Sequence, residues 1–313
     1  MKITPSTKFD LEANTFEEYE QRIKEIRTRL SVLNKCSNCS HVSDLLFRGH
    51  RDASWKLETS LERQPRNSNR DDNLGVTEYY EKILGIQSRV ESLADQSWKL
   101  QPFCEYRKGL VTNTPHNFLV NNAADEHMEM YRYFAYLRHH NFPSPLLDWT
   151  QCEYMAAFFA FRHVDKCAKK VAVYLFLEYA GSGKSGIRQI PHIQGLGHNV
   201  TVHPRHNIQK AEYTICTAKV TLPGAGNAKW LYAEHDKARC VQTDSAEGRQ
   251  DLLWKIELPF CSKEDFSTRL DAMGINEDGL FKTENVINAD SSLITMDDLM
   301  ETLTLETFPR TSS

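Results

Sequence analysis

The chain has 313 residues, 40% apolar and 26% charged, with a formal net charge of -4. That length allows one large domain or two modest ones, and a mean hydropathy of -0.54 describes an ordinary soluble protein. No apolar run of about 18 residues is present to span a membrane, and the acidic balance gives no global pull toward nucleic acid, although a local basic groove would suffice.

The opening MKITPSTKFDLEAN lacks the apolar stretch of a secretory signal. Eight cysteines at irregular spacing then read as reduced thiols, so a cytoplasmic setting is expected. Thr15-Phe-Glu-Glu18 fits a capping box, with Thr15 as N-cap and Glu18 reaching back. Behind it Phe16, Tyr19, Ile23, Ile26, Leu30 and Leu33 recur at helical spacing and predict a helix ending near Asn34. Cys36 and Cys39, with His41 close behind, have ligand spacing but no second pair, so no metal is expected. A strand follows over Val42 to Arg48, then a polar segment, then a helix from Thr77 to Ala94. Between Asp95 and Asn122 there is no clear periodicity, and the segment reads as a loop insertion.

A helix from Ala124 to His139 places Met128, Tyr131, Phe134, Ala135 and Arg138 on one side and stops before Pro143. PLLDWT reads as a short buried strand and Glu153 to His163 as a buried helix. Val171 to Leu177, apolar on both faces, has the pattern of a central strand. Further strands are expected at Gln209 to Val220 and Leu252 to Leu258, and the tail from Ser262 is helical in part. Gly181-Ser-Gly-Lys-Ser185 invites a phosphate-loop reading. That loop needs glycine five residues before its Gly-Lys step, where Glu178 stands, and a helix should follow; a flexible glycine loop is the reading retained.

The richer constellation is spread along the chain. Phe47-Arg48-Gly49 closes the first strand, with Trp55, Ser60, Leu61 and Arg63 beyond it. Later come His139, Pro143, Leu146-Leu147-Asp148-Trp149-Thr150 and Ala156-Ala-Phe-Phe-Ala160. Gln209 stands at the edge of a later strand, and Leu270-Asp-Ala-Met-Gly-Ile275 and Leu280-Phe281 end the series. Taken together this resembles the FRG-domain family from about Leu45 to Phe281. Asn141, Ser144, Pro145 and Ala211 stand where the family pattern has glycine, threonine, arginine and glycine, changes that bear on the pocket rim. An aromatic-Arg-Gly strand end also resembles the arginine-type mono-ADP-ribosyltransferases.

The resemblance implies a single α+β domain with a split, twisted mixed sheet flanked by helices, over residues 42–285. A helical segment, 1–41, precedes it and a tail, 286–313, follows. It implies NAD as substrate, and a macromolecular acceptor, RNA or protein. It also implies a toxin-like effector in bacterial phage defence, held by an inhibitory antitoxin protein. Arg48 would grip the diphosphate, for which a guanidinium fork is well suited. Gly49, His139, Asp148, Trp149 and Thr150 would complete the cofactor site, with the Trp149 ring against the nicotinamide or bracing the strand. Glu212 would stabilise charge on the ribose and Gln209 orient either ribose or acceptor, though their spacing puts them on opposite strand faces.

Each residue also has a purely structural role open to it. Arg48 and Asp148 would pair with each other, His139 cap a helix, Thr150 cap the next one, Trp55 sit in the core and Glu212 face solvent. A catalytically silent module binding a nucleotide or a protein is the alternative function.

Overall fold

The computed structural model describes residues 8–35, 41–64, 75–94, 96–120, 128–164, 168–181, 191–197, 204–221, 228–238, 241–242, 248–281 and 295–309. In chain order these form β1 (Lys8–Glu12), α1 (Phe16–Lys35), β2 (His41–Val42), β3 (Leu45–His50), α2 (Val76–Ala94), α3 (Phe103–Gly109), α4 (Pro115–Val120) and α5 (Glu129–His139). Then follow β4 (Leu147–Thr150), α6 (Glu153–Phe161), β5 (Lys170–Gly181), β6 (His192–Gly195), α7 (Pro204–Ile208), β7 (Ala211–Thr221), β8 (Ala228–Tyr232) and β9 (Val241–Gln242). β10 (Gly248–Pro259), α8 (Lys263–Ala272), α9 (Glu277–Phe281) and α10 (Met296–Thr307) complete the set. Cys36 and Cys39 lie outside the described residues, as do positions 182–185 of the glycine loop.

The strands make one open mixed sheet in the order β1-β10-β5-β3-β4-β7-β6, with β2, β8 and β9 added at β5, β7 and β10. Only β1 runs parallel to its neighbour, β10, among the described pairs. This is the α+β class that the sequence implies, with helices flanking the sheet.

Three apolar cores hold it. Phe16, Tyr19 and Ile23 of α1, with Phe266 and Leu270 of α8 and the alanines of α6, cover Phe47, Val173, Leu175 and Ile256 of the sheet. Helices α2, α5 and α10 pack with Tyr213 and Ile215 of β7 in a second core. Leu46, Leu147, Trp149, Phe176, Cys216 and Leu253 fill a third. Residues 8–35 and 295–309 are therefore structural parts of the unit. β1 extends the sheet, α1 lies in the first core, and α10 buries Leu299, Met300 and Leu303 in the second.

Three expectations change in detail. Glu18 accepts from the main chain of Asn14 (2.7 Å) instead of Thr15, although Thr15 Oγ1 does accept from Glu18 N (3.2 Å). The strand expected over Val42 to Arg48 is broken in two, because Ser43 Oγ accepts from the nitrogens of Glu178 and Tyr179 (2.9 and 3.2 Å) and takes a ladder position with its side chain. The segment read as a loop insertion after Asp95 carries α3 and α4, and buries Trp98, Tyr106, Leu110, Phe118 and Leu119 in the second core. These helices span only one or two turns, too few for an apolar period to register.

Candidate functional site

β3 and β4 share a single bridge, Phe47 to Thr150. Beyond it they part, while β3 stays in six-residue register with β5 and β4 stays paired with β7. A cleft of ≈ 1180 Å³ opens at the gap. The main-chain oxygen of Asp148 has no β3 partner there. Arg48 Nη1 donates to it at 2.6 Å, so the side chain stands in for the missing ladder bond.

The three residues of the FRG tripeptide have separate jobs. Phe47 is fully buried in the first core. Arg48 points along the cleft floor, its Nε donating to His50 Nε2 at 3.1 Å. Gly49 is required by packing: a Cβ there would lie 2.1 Å from the Ala156 carbonyl oxygen and 2.5 Å from Ala160 N. The glycine serves the approach of α6, where the sequence suggested approach of a ligand.

Asp148 is the electrostatic centre. Arg138 donates to it in a fork, Nε to Oδ1 at 3.0 Å and Nη2 to Oδ2 at 2.5 Å, while Arg48 Nη1 stands 3.5 Å from Oδ2. Its side chain keeps 39% of its area because it lines the cleft. Burial works against its charge, but Arg138 and Arg48 outweigh burial and hold the carboxyl below its ordinary value. Burial pulls Arg48 down to about 10, against the pull of Asp148 and with the push of Arg138 and Arg63. It remains a cation at neutral pH. Burial likewise opposes charge on Arg138, but Asp148 more than compensates and raises it. Arg63, lowered by burial and by Arg138, is a third guanidinium at the same floor.

One carboxylate thus serves two arginines with a third nearby. Over the whole cleft, six arginine or lysine side chains face three carboxylates, and five histidines line it as well. The site has an excess of positive charge held in a partly dry space. That is the electrostatic form of an anion seat.

Of the residues singled out in the sequence, Arg48, Gly49, His139, Asp148, Trp149, Thr150 and Gln209 line the cleft. Thr150 Oγ1 donates to the Gln209 carbonyl at 2.7 Å and accepts from Cys152 N at 3.1 Å, joining the two walls and the start of α6. His139 meets the buried His206 edge to face at 5.8 Å.

Glu212 is not among the lining residues. It is 8% exposed, accepts from Gln151 Nε2 at 3.1 Å, and shares a sheet face with Trp149, its cross-strand partner. The Trp149 indole braces the strand. It is 3% exposed, donates to Thr214 Oγ1 at 2.8 Å and lies 5.5 Å from the Phe176 ring. Trp55, expected in the core, is 48% exposed and lines the cleft. It stands in a turn where no strand alternation directs it inward.

Arg138, Arg63 and Phe281 were named in the sequence reading, but none was given a part in the site. Arg138 was legible as a cation on the apolar face of α5. Phe281 belongs to the Leu280-Phe281 pair, and its ring carries Arg162 at 3.9 Å, which α9 fixes through a two-bond pairing with Glu277 (2.7 and 3.0 Å). His206, Gln209, Tyr213, Phe281 and Thr295 to Asp297 also line the cleft. Asp297, at the start of α10, meets His140 at 3.2 Å.

No curated protein and no solved structure matches the chain. Residues 43–169 match the family model of the FRG domain.

Proposed function

With an FRG domain supplying the Arg48 wall of the cleft, we propose that the protein is an NAD-dependent ADP-ribosyltransferase acting on a macromolecule. The observation that carries this reading is the excess of guanidinium over carboxylate at the cleft floor. A diphosphate is the ligand that such a floor accommodates best, because each phosphate accepts forked donation. Arg48, already turned toward the gap, and Arg63 take the diphosphate, while Arg138 stays bound to Asp148 and keeps the floor rigid. NAD supplies a C1′–N bond that breaks with its electron pair leaving on nicotinamide, while an acceptor oxygen or nitrogen bonds C1′ and releases its proton to water. Gln209, which lines the same cleft as Arg48, offers a neutral amide to the ribose hydroxyls and orients the sugar for attack. Glu212 serves from behind the strand by holding Gln151.

A second reading has its own support. Glu212, the late-strand carboxylate that would balance positive charge on the ribose, faces away from the cleft. A binding module needs no such group.

Incubation with radiolabelled NAD and a bacterial lysate separates the two. Label transfer by the native chain, reduced about tenfold to a hundredfold in Arg48→Ala and about tenfold in Gln209→Ala, is the expected result; loss of one charged bond to a diphosphate is worth roughly 1.5–3 kcal/mol. Nuclease and protease digestion then name the acceptor class. Glu212→Gln retaining most of the transfer agrees with its position. Absence of transfer by the folded native chain, with NAD still bound, selects the module. A toxin-like effector held by an antitoxin predicts growth arrest on expression without the partner, and relief of it by Arg48→Ala.

A further inference from the structure

A tryptophan left half exposed is a loss of burial that a fold ordinarily avoids. Trp55 is 48% exposed and lines the cleft, yet its main chain is firmly held. Asp52 Oδ1 accepts from Ser54 N and Ser54 Oγ, both at 2.7 Å, and closes the turn before it. Trp55 N donates to the Asp52 carbonyl at 3.2 Å, and its own carbonyl accepts from Tyr174 Oη at 3.2 Å. Two residues on, Leu57 N donates to Asp236 Oδ2 at 2.9 Å. The backbone is pinned on both sides while the indole stands in the open.

Its neighbours are cationic and continuous with the anion seat. The Arg51 guanidinium carbon lies 5.6 Å from the ring centroid, and Lys56 lines the same mouth. His50 links inward, with its ring 6.3 Å from the indole and its Nε2 bonded to Arg48 Nε at 3.1 Å. Indole, imidazole and guanidinium therefore form one chain from mouth to floor. Of the two tryptophans in the cleft wall, Trp149 has its ring committed to Thr214 on the opposite face, so Trp55 is the one with an indole open to a ligand.

We propose that Trp55 is the platform on which the nucleobase of the cleft's ligand stacks, with the ligand's phosphates lying on Arg48 and Arg63; adenine is the base if that ligand is NAD. This rests on the nucleotide reading above. Base-on-indole stacking supplies affinity without sequence-specific hydrogen bonds, and the adjacent Arg51 adds a cation beside the ring.

Calorimetric titration with ADP and with inorganic pyrophosphate tests it, because the two probes share phosphates and differ in the base. ADP affinity is expected to fall about tenfold in Trp55→Ala and to recover most of the way in Trp55→Phe. Pyrophosphate affinity is expected to be the same in all three proteins. Equal ADP binding by native and Trp55→Ala protein overturns the proposal, as does an equal loss for both probes. Failure of the native protein to bind pyrophosphate, with ADP still bound through Trp55, overturns the anion seat and leaves the platform standing. Failure to bind either probe overturns both.

Discussion

Asp148→Asn is expected to destabilise the protein by about 2–3 kcal/mol in urea denaturation at neutral pH. Breaking a buried pair from one side costs ~3–5 kcal/mol, because the stranded charge stays desolvated. Here Arg138 and Arg48, each with 16% of its side-chain area exposed, lose their shared counter-charge together. The lower figure follows from the 39% exposure of Asp148 toward the cleft, where water screens part of the field. Asparagine keeps the shape and one acceptor, so the effect reports charge and not a cavity.

The pH dependence has a definite sign. The folded carboxyl titrates below its unfolded value, near 3.9. Its contribution is therefore fully present above that value and fades as pH falls through the lower folded one. The gap between native and Asp148→Asn stability should be flat from neutral pH to about 5 and close with further acid. A difference under about 0.5 kcal/mol at neutral pH would sink this account of the cleft floor.

Gly49→Ala should cost about 3 kcal/mol, the upper end for a residue forced into a packed interior. The added methyl would stand 2.1 Å from a carbonyl oxygen and 2.5 Å from a main-chain nitrogen of α6. Neither is a flexible side chain that can swing aside. Ala156, Ala157 and Ala160 are all fully buried against the sheet, so α6 would have to retreat as a body. Because the end of α6 positions Arg162 at the cleft, ADP affinity should fall along with the melting temperature. A variant with native melting temperature would show that β3 and α6 approach less closely than described.

Much of this was legible in the chain. Helical periods located α1 and α2 to within a residue or two, and the apolar run at Val171 located β5. Arg48 was readable as an anion-facing or carboxylate-facing residue, and the carboxylate it meets is Asp148. The roles of the two tryptophans could not be read from residue type. Trp149 lies between Asp148 and Thr150 on a strand, and when those flanking side chains serve the cleft, alternation turns the indole to the opposite side. Trp55 sits in a turn, where orientation depends on Asp52, Tyr174 and Asp236, contacts distant in sequence. Glu212 follows the same alternation as Trp149, its partner across the ladder. The wall after residue 204 was the least legible, since Gln209, Phe281 and Asp297 meet only through the fold.

The single bridge between Phe47 and Thr150 has a mechanical consequence. On one side of it β10 and β5 hold eleven registered pairs, and β5 and β3 hold six; on the other, β4, β7, β8 and β6 are laddered together. Two stiff plates thus meet along one compliant seam, with Trp149 against Phe176 as padding behind it. Bending concentrates where the fewest bonds resist it, so the aperture can change while both plates keep their ladders intact. Arg48 is one side-chain tie between the plates, through the Asp148 carbonyl, and Glu178, which accepts from Gly195 N, is another. The proposed anion would compete with Asp148 for the Arg48 guanidinium, and so would act on the seam itself.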